Sequence, residues 1–238
     1  MTTTSSAGLV VARGGLGTGK TKMCINVTQG LRAKGIDAEY VSVGWWFRAI
    51  LAVARELSRI EAGDLPDTHL YRHAARYTGS QLVDAAQGMG LTIHDGDALV
   101  GAGVLRPVSG EVLNQMAGVW GGDHEVRRWT IQDISLRITG APHRFFVVDS
   151  RSGNSDYGHL RKAVLNVYLT VDDEVGAKRK LCTVEALRSR NWADRNLPEG
   201  PLLDPSPDDH VLDTTHMSEE DVASWLLGLL EKQFLLRP

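Results

Sequence analysis

Cysteine is scarce: Cys24 and Cys182 are the two in 238 residues. Their spacing fits neither a zinc site nor a disulfide framework, so a packed core must hold the fold, and a reducing, cytoplasmic setting is expected. Long basic runs are missing too. With 26 Lys+Arg against 29 Asp+Glu and a formal net charge of -3, nothing indicates an extended nucleic-acid face, although a local basic cleft is compatible with that balance. No apolar run approaches the about 20 residues that cross a bilayer. The opening Met1-Thr-Thr-Thr-Ser-Ser lacks the basic start of a signal peptide, so a soluble chain is expected. Internal repeats are absent. What remains is 42% hydrophobic residues, enough for one substantial core.

Against that background one stretch stands out. Gly14-Gly15-Leu16-Gly17-Thr18-Gly19-Lys20-Thr21 follows the apolar run Leu9-Val10-Val11-Ala12 and precedes a helical pattern. It fits G-x-x-x-x-G-K-[ST] in the strand–loop–helix context that gives the motif its meaning. Glycines let the backbone close around a phosphate, and successive N–H groups with the start of the next helix face the anion. Lys20 is expected to reach the β- and γ-phosphates and the Thr21 hydroxyl to hold Mg²⁺. The predicted site therefore binds a nucleoside triphosphate.

Periodicity supplies the frame. A helix is expected from Lys20 to about Ala33, a strand over Asp37–Val43 broken by Gly44, and a helix from Trp45 to about Ile60. Ser80–Gln87 reads as helix, and Leu91–Leu99 as a hairpin around Asp95-Gly96, outside the main sheet. Helices are expected at Ser109–Val119 and Asp123–Ile138, and strands at Phe145–Asp149 and Val164–Val171. A helix from Asp172 to about Arg188 precedes a polar segment, Arg190–Asp208. A last short strand, His210–Asp213, leads to a terminal helix opened by Ser218-Glu-Glu-Asp221. Strands alternating with helices after a phosphate loop predict an α/β fold with a parallel sheet covered on both faces. Asp149 ends a strand of aromatic and β-branched residues, which places a second carboxylate for the metal there.

Several stretches together resemble the bacterial-type cytidylate kinases, members of the nucleoside-monophosphate kinase group. They are the phosphate loop, Ser42-Val-Gly-Trp-Trp-Phe-Arg48, Glu125-Val-Arg127, Val148-Asp-Ser-Arg151, Val167-Tyr-Leu169 and Ala177-Lys-Arg-Lys180. Arg190 with Asp194-Arg-Asn196, Pro201-Leu202, Asp208 and Val211-Leu-Asp213 complete a collinear set over about 8–232. The resemblance implies a P-loop NTPase fold with a five-stranded parallel sheet. It also implies one kinase domain over 1–238, with core at 8–43 and 140–238, an acceptor-binding region with a small insertion at about 44–139, and a mobile lid at about 176–200. By the same resemblance Arg48 and Arg151 hold the acceptor's phosphate, and Arg127 and Ser152 fall at the base-reading positions. Arg190 and Asp194 are the lid and ribose-binding pair, and Arg179 and Lys180 the donor-side lid cations. The catalytic set so implied is Lys20, Asp149, Arg151 and Arg179.

The chain also departs from that pattern. Val43, Gly118, Ser152, Gly176 and Leu197 stand where the resemblance calls for other polar or charged groups. An acceptor other than plain CMP is therefore expected. Trp45, Trp46 and Trp120 are candidates for stacking on a flat group or for filling core. Three readings remain open at this level. One is an ATP- and Mg²⁺-dependent kinase for a nucleoside monophosphate or modified pyrimidine nucleotide. Another is a kinase for a hydroxyl group of a nucleoside, a specialised metabolite or a hydroxymethylated base in DNA, with Asp149 or Asp156 as base. The last is a non-catalytic nucleotide-binding module.

Overall fold

The computed structural model describes residues 8–63, 69, 73–94, 97–100, 103–105, 122–151, 154–160, 164–198 and 201–235. In chain order the strands are β1 (Leu9–Gly14), β2 (Ala38–Ser42), β3 (Leu91–His94), β4 (Asp97–Val100), β5 (Gly103–Val104), β6 (Phe145–Asp149), β7 (Val164–Thr170) and β8 (His210–Asp213). The main helices are α1 (Lys20–Ala33), α2 (Val43–Ala62), α3 (Gly79–Gly88), α4 (His124–Gly140), α5 (Asp173–Lys180), α6 (Val184–Arg195) and α7 (Glu219–Leu230). A short helical turn, Asn154–Tyr157, follows β6. The described residues fall into two compact units. One lies within Met1–Ser42, Ile134–Asn196 and Pro201–Pro238, the other within Val43–Asp133 and Leu197–Gly200.

The first unit is built on a five-stranded sheet in the order β2-β6-β1-β7-β8, parallel at every pairing. Strands buried on both faces read as continuous apolar runs, which is what Leu-Val-Val-Ala and Phe-Phe-Val-Val are. On one face Val10, Ala12, Phe145, Val147, Leu165, Val167 and Leu169 form a core with Met23, Cys24, Val27 and Leu31 of α1 and Val222, Leu226 and Leu230 of α7. Each fully buried side chain of this size contributes about 1.5–3 kcal/mol. Leu9, Val11, Phe146 and Val148, which alternate with that set, are equally buried. The fold is thus an α/β P-loop fold with a five-stranded parallel sheet. Register sets Ala12 and Ser42 beside Asp149, so the carboxylate ends the strand between β1 and β2.

The second unit has its own core. Ile50, Leu51, Val53 and Ala54 of α2 pack with Ala74, Leu82, Ala86 and Val126. Strands β3, β4 and β5 form a separate antiparallel sheet, with His94 opposite Asp97, as the hairpin reading requires. Trp46 is fully buried, and its indole N–H donates to Asp133 Oδ2 at 2.8 Å. That side chain is core, not a stacking platform.

Three expectations need correction. Gly44 does not break the chain after β2; it is the second residue of α2, where a helix start tolerates it. The helix expected over Asp172 to about Arg188 is two helices. Leu181 adopts φ 53°, the Leu181 and Cys182 N–H groups bond back to the Lys178 and Ala177 carbonyls, and Thr183 caps α6 by accepting the Ala186 N–H. No glycine marks this break, which is why the pattern hid it. Residues Arg190–Arg195, expected in a polar connection, are the end of α6. The helix expected at Ser109–Val119 lies outside the described residues, as do Gly118 and Trp120. Among the described residues no helix is long and apolar enough to cross a membrane.

Candidate functional site

The phosphate loop joins the carboxyl end of β1 to α1, at the edge of the sheet where open α/β sheets take ligands. Two of its glycines are required by geometry. Gly19 has φ 82°, and a Cβ on Gly17, itself at φ 84°, would lie 2.7 Å from the Gly176 Cα and carbonyl oxygen. Gly14, at the end of β1, and Gly15 leave room for close neighbours, the Leu169 carbonyl and the Asn191 amide. The Thr18 hydroxyl turns inward on the loop and donates to the Gly15 carbonyl at 3.0 Å. Below it, a buried ion pair between Arg13 and Asp209 anchors the end of β1, with the guanidinium 5.2 Å from the Tyr168 ring centroid.

The loop's polar groups are sorted by direction. Among the described residues, none of the N–H groups of Gly17, Thr18, Gly19, Lys20 and Thr21 has a hydrogen-bond partner. The first helical bond of α1 runs from the Met23 N–H to the Gly19 carbonyl. Gly19 offers no side-chain cap, and the first turn of α1 holds no acid. Five consecutive donors and an uncapped helix start form a cradle for a polyanion.

Beside this cradle three donors meet one carboxylate. Lys20 Nζ lies 3.1 Å from Asp149 Oδ1, and the Thr21 hydroxyl donates to Oδ2 at 2.7 Å. Tyr40 adds its hydroxyl to Oδ2 at 3.4 Å. Burial, with the Asp149 charge behind it, pushes the Tyr40 phenol above its ordinary range, so it stays protonated and remains a donor. The same two causes raise the Cys24 thiol, which is inert core. Asp149 is 7% exposed, so its charge is held by these partners rather than by bulk water. The hydroxyl and carboxylate are hard oxygen donors and fit Mg²⁺, an ion that keeps waters and phosphate oxygens in its shell. Among the described residues there is no cluster of three or more His, Cys, Asp or Glu that would suit a different metal.

A second group of predicted residues also comes together. Arg151 Nη1 and Arg190 Nε lie 3.2 and 3.3 Å from the same oxygen, Asp194 Oδ1. Helix α6 supplies Arg190 and Asp194, and it is tied to the phosphate loop by Asn191, whose Oδ1 accepts the Leu16 N–H at 2.8 Å. The cluster thus brings two guanidinium groups to one carboxylate oxygen, in the same unit as the loop.

Other predicted residues lie elsewhere. Arg179, a donor-side lid cation by the resemblance, directs its guanidinium at the outer side of the loop. It donates to the Gly17 carbonyl at 3.4 Å, to Thr214 Oγ1 at 3.0 Å, to the Thr214 carbonyl at 2.7 Å and to the Met217 carbonyl at 3.3 Å. Lys180 is exposed at the end of α5. Gly176, one of the departures, has a physical reason: it is buried, and a Cβ there would lie 3.1 Å from Val171 Cγ1 and 3.3 Å from Leu187 Cδ2, so a larger side chain would crowd both. Ser152 lies outside the described residues. Arg48 and Arg127 belong to the second unit. Arg48 is exposed on α2, and Arg127 borders a cavity of about 450 Å³ with His124, Arg128, Ile131 and Gln132.

Sequence reasoning missed Tyr40, Asn191 and Thr214. Only Tyr40 carried a signal, as the aromatic residue of an expected strand; its meeting with Asp149 depends on a register the sequence does not state.

No protein-family model matches the chain, and no curated protein sequence does. Solved structures give a weak likeness across the whole length. A sugar kinase from Janibacter sp. HTCC2649 is 14% identical, with 94% of this chain and 95% of that one covered and a TM-score of 0.46. A gluconokinase from Sinorhizobium meliloti 1021 is 13% identical, with 96% and 94% covered and a TM-score of 0.46. TT1252 from Thermus thermophilus is 18% identical, with 98% and 99% covered and a TM-score of 0.45. Likeness at this level carries no argument about chemistry, which for this chain rests on its own residues.

Proposed function

We propose that this chain is an ATP-dependent phosphotransferase that moves the γ-phosphoryl group to a small acceptor bearing an anionic group, such as a nucleoside monophosphate or a modified pyrimidine nucleotide. The observation that carries the reading is the row of five unpartnered N–H groups from Gly17 to Thr21, set beside Lys20, Thr21 and Asp149. The N–H groups would bind the β-phosphate, and Lys20, released from Asp149, would bridge to the γ-phosphate. Thr21 and Asp149 would hold Mg²⁺, which neutralises charge across the β- and γ-phosphates when bound. Transfer forms a bond between an acceptor oxygen and the γ-phosphorus and breaks the bond to the β–γ bridging oxygen, giving ADP. The protein contributes alignment and charge.

Arg151 and Arg190 support an anionic acceptor. Planar guanidinium groups pair two oxyanion oxygens and stay charged at working pH. Both guanidinium groups also contact Asp194. The second reading, a hydroxyl acceptor, is favoured by Leu197. It stands where the resemblance calls for a further phosphate-binding arginine, yet it and Pro198 fill the space beside Gly122.

ATP consumption across a panel of nucleoside monophosphates, nucleosides and hydroxylated metabolites tests the reading. In the same assay Arg151→Ala is expected to raise acceptor KM about 10–100-fold with MgATP affinity unchanged, the loss of one charge-assisted pair. Unchanged acceptor kinetics would favour the hydroxyl reading. No turnover of ATP with any acceptor would remove both.

A further inference from the structure

The outer side of the phosphate loop is held as firmly as its inner side is left open. Thr214, fully buried in the turn after β8, has one hydroxyl proton and two carbonyls within reach: Thr18 at 3.1 Å and Thr170 at 3.0 Å. Thr170 already receives the Thr214 N–H at 3.0 Å, whereas Thr18 has no other donor among the described residues. The proton is therefore best used on Thr18. Arg179 fixes the direction of that hydroxyl by donating to its oxygen, and Nη1 also reaches the Gly17 carbonyl.

Peptide geometry turns these contacts into a function. In a trans peptide the C=O of one residue and the N–H of the next point in opposite directions, and the described chain has no cis bond. Holding the Gly17 carbonyl outward turns the Thr18 N–H inward. Holding the Thr18 carbonyl outward does the same for the Gly19 N–H. A glycine-rich loop resists peptide flips poorly, since glycine readily takes either sign of φ. External partners for these two carbonyls are what keep the inner donors aligned before a ligand arrives.

We propose that Arg179 and Thr214 are positioning residues for the donor phosphates, clamping two loop carbonyls so that the Thr18 and Gly19 N–H groups face the polyphosphate. This rests on the nucleotide reading above, but Arg179 then acts on the loop rather than on the phosphoryl group in flight. The cost of losing the clamp falls on ground-state binding of the phosphates.

The test uses the full chain, with calorimetric titration of MgATP and of inorganic tripolyphosphate, which has no base or sugar. Arg179→Met and Thr214→Val are each expected to weaken both ligands about tenfold. The kcat at saturating ATP is expected to stay within about threefold of wild type, and Thr214→Ser, which keeps the hydroxyl, to restore affinity. Arg179 is exposed on α5, so its replacement leaves the core intact and carries the test if Thr214→Val does not fold. A fall in kcat with both affinities unchanged would return Arg179 to the reacting group and overturn the clamp. Weakening of MgATP alone would assign the pair to the nucleoside and overturn it too. If wild type bound neither ligand, the nucleotide reading itself would fail. Wild-type binding with both variants unaltered would remove only the clamp.

Discussion

Helix α7 begins with Ser218, whose hydroxyl accepts the Asp221 N–H at 3.1 Å while the Asp221 carboxylate accepts the Ser218 N–H at 3.2 Å, and three acids fill its first turn. Helix α1 begins with Gly19, has no side-chain cap and has no acid in its first turn. Thr78, Asp172 and Thr183 cap α3, α5 and α6 in the manner of Ser218. The same chain therefore satisfies several helix starts with its own oxygens and leaves the start of α1 without a side-chain cap. A helix start carries about half a positive charge and orphaned N–H groups, so leaving it bare costs stability in the free protein. The cost is offset when an anion binds. The difference teaches that α7 closes its own start, whereas α1 leaves its start open, as the proposed phosphate binding requires.

Three substitutions would break or sharpen that contrast. Lys20→Ala removes the flexible cation paired with Asp149 beside the bare start and is expected to lower ATP turnover about 10²–10³-fold. Unchanged turnover would deny the site a catalytic role. Lys22→Glu places an acid in the exposed first turn of α1. It should raise Tm of the nucleotide-free protein by about 1–3 °C and weaken MgATP binding about threefold or more. Opposite signs in the two measurements are the point, and a gain in both would mean that the bare start is not reserved for an anion. Ser218→Ala should lower Tm by about 2–4 °C and leave nucleotide binding untouched. The hydroxyl of Ser218, and after it the backbone N–H, holds the Asp221 carboxyl below its ordinary range. Its folded value is thus the lower one. This stabilisation is present above the ordinary aspartate range and is lost as pH falls through the depressed value. The Tm difference between Ser218→Ala and wild type should therefore shrink in acid.

Much of the first unit could be read directly. Leu9–Ala12 and Phe145–Val148 are apolar without alternation because the strands are buried on both faces, and the glycine spacing before Lys20 leaves few alternatives for the loop. The helix break at Leu181 could not be read, because a leucine in left-handed geometry is dictated by the Ala177 and Lys178 carbonyls it closes upon. Arg179 shows the same limit in the site. As the end of a charged helix it could face solvent, a lid cleft or the loop, and only packing of α5 on Gly17 chose among them. Trp46 was ambiguous for a related reason: an indole beside a candidate binding helix looks the same in sequence whether it stacks on a ligand or bonds to Asp133.

By itself the sequence determined that a phosphate loop leads from a buried strand into a helix, and that a strand-terminal carboxylate exists to meet it. These depend on local rules: which residues permit left-handed backbone, which runs can be buried, and how far a lysine reaches. Only the tertiary structure decided what surrounds the loop. Tyr40 and Asp149 meet because β2 and β6 are neighbours, Asn191 reaches Leu16 because α6 turns after Leu181, and Thr214 reaches Thr18 across 196 residues. Those meetings are fixed by strand order and helix packing, which are properties of the whole chain finding one arrangement that buries its apolar faces together.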